Sequence, residues 1–260
     1  MDTASIWFYP VLFVTGLAAG FVDSIAGGGG LITVPVLLST GFAPQDALGT
    51  NKLQAAFGSG SAAFHFAHAG LVRLNDCVTG IIFTAIGAAA GTMLVVNERV
   101  ARPDLLKLII PWLLIALAIY LLLKPGLGSV QRRERMTSNT FHLTFGLLIG
   151  FYDGFFGPGT GTFWAMAYMM FLGCELTQAT AHTKIMNFTS NIISLIVFAA
   201  AHHVLVVPGI VMGIGQMLGA RLGSRAVIKR GANFIRPIFL TVVIAIASKL
   251  LWDYFRRPQP

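Results

Sequence analysis

Four ionisable residues stand where ionisable groups are expensive. Asp23, Lys52, Asp153 and Lys184 each fall inside an apolar stretch of the 260-residue chain, while the other charges sit in loops or at the ends of such stretches. Charges placed like this point to a functional site, although four of them also admit a plain structural reading in which each aspartate holds a lysine. Their neighbours favour a site. Thr50, Asn51 and Gln54 surround Lys52, and His182, Thr183 and Asn187 surround Lys184. A fixed ammonium with hydroxyl and amide donors suits a tetrahedral or pyramidal oxyanion. Two glycine-rich turns add backbone donors: Gly27-Gly28-Gly29-Gly30, and Gly157-Pro158-Gly159-Thr160-Gly161. Each opens a short apolar segment whose free N–H groups and positive dipole end would point into the same region. The expected binding set is therefore Thr50, Asn51, Lys52, Gln54, His182, Thr183, Lys184 and Asn187 with Gly28, Gly29, Gly30, Gly159, Thr160 and Gly161. Asp23 and Asp153 are expected to couple protons or to hold the lysines.

The elements that position these groups must lie in a membrane. Hydrophobic residues make up 55% of the chain and charged residues 11%, against roughly 25% charged in an average soluble domain. That balance excludes a soluble enzyme, a disordered chain and a disulfide scaffold. With about 20 residues per crossing, the length accommodates eight to ten membrane segments and no extramembrane domain. The first apolar stretch has no Lys or Arg before it, so it reads as a membrane helix and not as a cleaved signal. Cys77 and Cys174 match no metal or redox spacing.

Self-comparison divides the chain in two. Gly16-Leu-Ala-Ala-Gly20-Phe21-Val-Asp23 recurs as Gly146-Leu-Leu-Ile-Gly150-Phe151-Tyr-Asp153, an offset of 153 − 23 = 130. Lys52 aligns with Lys184, and Gly87-x-x-x-Gly91 with Gly219-x-x-x-Gly223, both at an offset of 132. The Gly-x-x-x-Gly pairs read as helix-packing faces. Each half holds five apolar segments, near 5–26, 30–41, 45–70, 76–97 and 105–123, then near 141–156, 160–173, 177–201, 204–224 and 234–253. The second segment of each half is too short to span and follows a glycine break, which predicts a broken or re-entrant helix lining a cavity. If the halves share one orientation, Lys and Arg divide eight against eight; if they are inverted, ten against six. The asymmetry favours inversion, with the basic linker 124–140 cytoplasmic and both termini outside. The expected fold is thus an all-α polytopic membrane protein with two inverted repeats, 1–123 and 141–260.

Other patterns carry less. His65-x-x-His68 lacks a nearby carboxylate or cysteine for a metal, and His202-His203 reads as a solvated loop. Ser59 and His65 are nearly opposite on a helix, which speaks against an intramembrane serine hydrolase. The glycine run has no βαβ context for a dinucleotide, and no folded basic face suits nucleic acid. A divalent-cation carrier using Asp23, Asp153 and the histidines remains the second transport reading. The sequence calls for no cofactor and no metal. The partners expected are a small anionic substrate and membrane lipids, with a homodimer as one option.

The stretch Gly20-Phe-Val-Asp-Ser-Ile-Ala-Gly-Gly-Gly-Gly-Leu-Ile-Thr-Val-Pro35, followed by Ala47-Leu-Gly-Thr-Asn-Lys-Leu-Gln54, resembles the TauE/SafE sulfite exporter family, also called the toluene-sulfonate uptake permeases. Gly150-Phe-Tyr-Asp-Gly-Phe-Phe-Gly-Pro-Gly-Thr-Gly161 and Ala179-Thr-Ala-His-Thr-Lys184 are similar to its bacterial inner-membrane branch. The resemblance implies a proton-coupled transporter of sulfite, sulfonates or related sulfur-containing anions. It implies roles for Asn51-Lys52, Thr183-Lys184 and both glycine turns.

Overall fold

The computed structural model describes residues 6–97, 100–101, 112 and 134–230. The apolar segments near 105–123 and 234–253, and most of the linker 124–140, lie outside the described residues. The rest folds into eight α-helices: α1 (Phe8–Ala26), α2 (Gly29–Ser39), α3 (Pro44–His68), α4 (Val78–Val96), α5 (Ser138–Phe155), α6 (Thr160–Phe171), α7 (Leu176–Ala200) and α8 (Val206–Arg230). Local chemistry sets their limits. Pro44 opens α3, where its missing N–H costs nothing. Thr137 caps α5 by accepting from the Thr140 amide. Four stretches among the described residues, Phe8–Ala26, Leu74–Val96, Leu176–Ala200 and Val206–Arg230, are long and apolar enough to cross a membrane.

Helix directions follow from the residues that touch. Gly16 lies on Met212, Gly20 on Gln216 and Gly219 on Leu17, so α1 and α8 run parallel. Gly209 against Leu53 and Gly213 against Phe57 make α3 parallel to α8 as well. On the other side, Gly146 meets Phe83 and Gly154 meets Ala88, and Thr92 bonds Ser194, so α4, α5 and α7 share one direction. Gly49 against Phe198 and Gly60 against Phe188 make α3 and α7 antiparallel. Each element of the first half thus opposes its counterpart in the second: α1 opposes α5, α3 opposes α7, and α4 opposes α8. The repeats are inverted.

They are also interleaved. α4 packs along α5 of the other half and α8 along α1, through the Gly87/Gly91 and Gly219/Gly223 faces read from sequence. A Cβ on Gly91 or Gly219 would stand 2.1 or 2.0 Å from a facing carbonyl oxygen, so only glycine permits this approach. The short helices turn back on their predecessors. Leu37, late in α2, packs with Phe8 and Leu12 at the start of α1. Tyr168, late in α6, packs on Phe141 and His142 at the start of α5. Each short helix therefore returns toward the face its hairpin came from.

The described basic residues outside the interior lie toward one face. Arg73 follows α3, Arg135 precedes α5, and Arg221, Arg225, Lys229 and Arg230 occupy the C-terminal end of α8. The helix directions bring these three places to the same side. Arg99, Arg102, Lys107, Lys124, Arg132, Arg133, Arg236, Lys249, Arg256 and Arg257 lie outside the described residues.

Candidate functional site

The two hairpin tips meet inside the molecule. Gly27 ends α1 in the left-handed conformation at φ 76° and its amide returns to the Asp23 carbonyl. A Cβ there would also fall 2.4 Å from the Gly161 carbonyl carbon, so glycine is required by conformation and by space. The Thr162 hydroxyl donates to the Ala26 carbonyl at 2.9 Å, tying one tip to the other. Tyr152 donates to the Pro158 carbonyl at 2.7 Å and braces the second tip from within.

The four interior charges form two ion pairs, and both cross between the halves. Lys52 Nζ lies 2.6 Å from Asp153 Oδ1, and Lys184 Nζ lies 2.9 Å from Asp23 Oδ2. Each lysine also donates to the backbone carbonyl of the same aspartate. That carbonyl belongs to the last turns of α1 or α5, so the ammonium meets the negative end of the broken helix as well. A buried lysine without a partner would be very costly, which explains why both are enclosed.

The pairs are not equivalent. Asp153 spends its second oxygen on the Ser190 hydroxyl, and its side chain is 4% exposed. Asp23 has Gly58 at the position that corresponds to Ser190 (58 + 132 = 190). Among the described residues its other oxygen takes only the Gly29 amide, at 3.2 Å, and its side chain is 14% exposed. Asp23 therefore caps α2 and is the more exposed carboxylate, while Asp153 is the more enclosed.

A cavity of about 30 Å³ lies where the tips meet. Of the expected binding residues, Asn51, Asn187, Gly30, Gly159, Thr160 and Gly161 line it, together with Asp23 and Asp153. Lys52 and Lys184 are not among its lining residues; the carboxylates face the cavity and the ammoniums hold them. Gln54 donates to Asn51 Oδ1 at 2.7 Å, and Thr33 reaches the same oxygen at 2.6 Å, which fixes Asn51 from behind. Gly28 and Gly29 form the start of α2 without lining the cavity. The Thr50 hydroxyl accepts the Leu205 amide, and the Thr183 hydroxyl donates to its own helix. His182 sits 3.5 Å from Cys77, away from the cavity.

Sequence reasoning missed Asn191, Gln216 and Ser190. Lys184, Asn187 and Asn191 recur at spacings of three and four, one face of a helix, so Asn191 was legible. Gln216 is a single carboxamide in the glycine-rich, apolar α8. Ser190 is recognisable only once the fold brings it to Asp153.

The histidines scatter. His142 bonds Tyr168 at 3.2 Å, His203 pairs with Asp46 at 2.8 Å, and His65 bonds the Ser61 carbonyl. Ser59 donates to the Ala55 carbonyl and makes no bond to His65. Among the described residues, no group of three or more His, Cys, Asp or Glu is placed to hold a metal ion.

Two inverted helical hairpins closing on a polar cavity define a polytopic membrane protein of the inverted-repeat class, the architecture of secondary transporters. Residues 12–250 match the family described as "Sulfite exporter TauE/SafE". The chain belongs to that family. It is 47% identical over 242 residues to "Probable membrane transporter protein ORF9" of Sinorhizobium sp, covering 93% of this chain and 92% of the relative. It is 45% identical to "Probable membrane transporter protein YfcA" of Escherichia coli K12, covering 94% and 89%. A Haemophilus influenzae relative, "Probable membrane transporter protein", is 42% identical, covering 94% of each. No solved structure gives a significant match. The protein is accordingly a multi-pass inner-membrane transporter of the TauE/SafE family.

Proposed function

We propose that the protein moves sulfite, small organosulfonates or related sulfur-containing anions across the bacterial inner membrane, coupled to the proton gradient. The observation that carries this reading is the cavity between the hairpin tips. The N-termini of α2 and α6 both open at it, and it is lined by the carboxamides of Asn51 and Asn187 and by Thr160. Helix N-termini with amide and hydroxyl donors stabilise an oxyanion.

The ion pairs supply the coupling. A proton taken by Asp23 removes the negative charge that holds Lys184, and the released ammonium turns to the anion in the cavity. Proton and anion then bind together because each makes room for the other. Asp153 and Lys52, closed by Ser190, stay paired and keep the second hairpin in place. The face bearing Arg73, Arg135 and the end of α8 is cytoplasmic by the positive-inside rule. A cation carrier built on Asp23 and Asp153 gains the two carboxylates in the cavity wall, but each already has a lysine and none of the histidines joins them.

The test is flux into proteoliposomes holding the purified chain under an imposed pH gradient. Labelled sulfite or methanesulfonate should move with the gradient and stop moving when it is collapsed. Flux of cobalt or nickel in place of these anions, lost on Asp23→Asn, would establish the cation carrier instead.

A further inference from the structure

We infer that the cavity takes an oxyanion bearing a single negative charge, read by the carboxamides of Asn187 and Gln216, and rejects doubly charged oxyanions of the same size. The inference rests on the anion-transport reading above and sharpens it to a charge state.

Its first support is the order of charges around the cavity. Asp23 and Asp153 line it, and Lys184 and Lys52 lie behind them in salt bridges. The four charges sum to zero, and the charges nearest a ligand are negative. A dianion would meet two carboxylates first, and like charges at short range in a poorly solvated site repel strongly. Release of Lys184 through a proton on Asp23 supplies one positive charge, enough for a monoanion. The second pair gives no further charge, because Asp153 is the more enclosed carboxylate, 4% exposed against 14% for Asp23, and the Ser190 hydroxyl holds it beside Lys52.

Asn187 and Gln216 supply an independent observation. They are 5% and 2% exposed, both line the cavity, and neither Asn187 Oδ1 nor Gln216 Oε1 has a hydrogen-bond partner among the described residues. Buried polar atoms are rarely left without a partner unless something else satisfies them. A carboxamide is uncharged and offers both donors and an acceptor, and rotation of its last bond exchanges them. Such a group serves a sulfonate by its N–H and a hydrogen sulfite, which carries a proton, by N–H and carbonyl together. It offers a dianion no compensating charge. Size agrees: about 30 Å³ holds an oxyanion head group and little besides. Among the described residues, Tyr152 beside the second tip is committed to the Pro158 carbonyl, and Arg221 on α8 is exposed.

Binding to the purified full-length protein, read by thermal shift and by calorimetry, tests this with three anions. Methanesulfonate, singly charged throughout, should lose on passing from mildly acidic to mildly alkaline buffer only the affinity that the proton on Asp23 supplies. Sulfite should bind in the acidic buffer, as hydrogen sulfite, and in the alkaline one lose at least about tenfold more affinity than methanesulfonate does. Sulfate should not compete. Gln216→Leu and Asn187→Leu should each weaken methanesulfonate about tenfold or more; should either fail to fold, the wild-type comparison of anions still decides. Sulfate bound as tightly as methanesulfonate overturns the charge rule and leaves oxyanion transport standing. So do folded variants of Asn187 and Gln216 with wild-type affinity, as regards the carboxamides. Failure of all three anions to bind removes the transport reading itself.

Discussion

At the scale of the residue, the two lysines are placed to be paired before they are placed to bind. Removing one member of a buried pair typically costs about 3–5 kcal/mol, because it strands the other charge. Lys52→Met should therefore lower stability by about that amount, and Lys52→Met with Asp153→Asn should recover most of it. Unfolding in detergent, followed by circular dichroism, gives both numbers. If the double variant is no more stable than the single, the pair is not what Lys52 is for. Asp23→Asn should be milder in stability, since Asp23 is the more exposed carboxylate, and should flatten the pH dependence of flux, measured in the same vesicles. The four residues themselves were legible in the sequence, from their repeat symmetry and their apolar surroundings. Their partnership was not. Asp23 and Lys184 are 161 positions apart, and nothing local to either distinguishes a lysine that faces a ligand from one that faces a carboxylate of the other half.

At the scale of the element, the glycine turns reverse the chain, form contact surfaces and start the donor-bearing helices. Gly27→Ala should be among the most damaging single changes. It forces a side chain into the left-handed region, at roughly 1–2 kcal/mol, and drives its Cβ into the Gly161 backbone. Gly41→Ala provides the control. Gly41 also has positive φ, but no atom of the described residues lies within 4 Å of a Cβ there, so the conformational cost is the one that applies. Melting temperatures of the two variants should separate clearly, and equal losses would mean that the tips do not depend on close contact. The short length of the second segment in each half was enough to predict a broken element. Its direction was beyond periodicity, because a short apolar run reads alike whether it continues across the membrane or turns back. What fixes it is tertiary: Leu37 returning to Phe8 and Leu12, and Tyr168 returning to Phe141.

At the scale of the whole molecule, inversion and interleaving make the halves mutually dependent. Cysteines introduced one at a time at Arg73 and Arg225, in a background lacking Cys77 and Cys174, should react with an impermeant thiol reagent from the same side. A cysteine at Thr40, in the loop between α2 and α3, should react from the opposite side. Labelling of the Arg225 position from the side of Thr40 would contradict inverted repeats. Basic-residue counts already leaned toward inversion, and the described basic residues gather toward one face as that count requires. The exchange of α4 and α8 between halves left no trace in composition or spacing. It emerges only from which glycine face meets which helix.

The crossed ion pairs carry a consequence for ancestry. A half-length chain with a single aspartate and a single lysine in these positions could neutralise neither within itself, because each reaches only the other half. Two copies in opposite orientations would satisfy both at once, by one contact used twice. Duplication and fusion of such a chain would then retain both contacts while freeing each to change alone. The serine beside one aspartate and the glycine in its place beside the other are the mark of that freedom: of two once-equal clasps, one is now closed over by a hydroxyl and the other leaves its carboxylate more exposed.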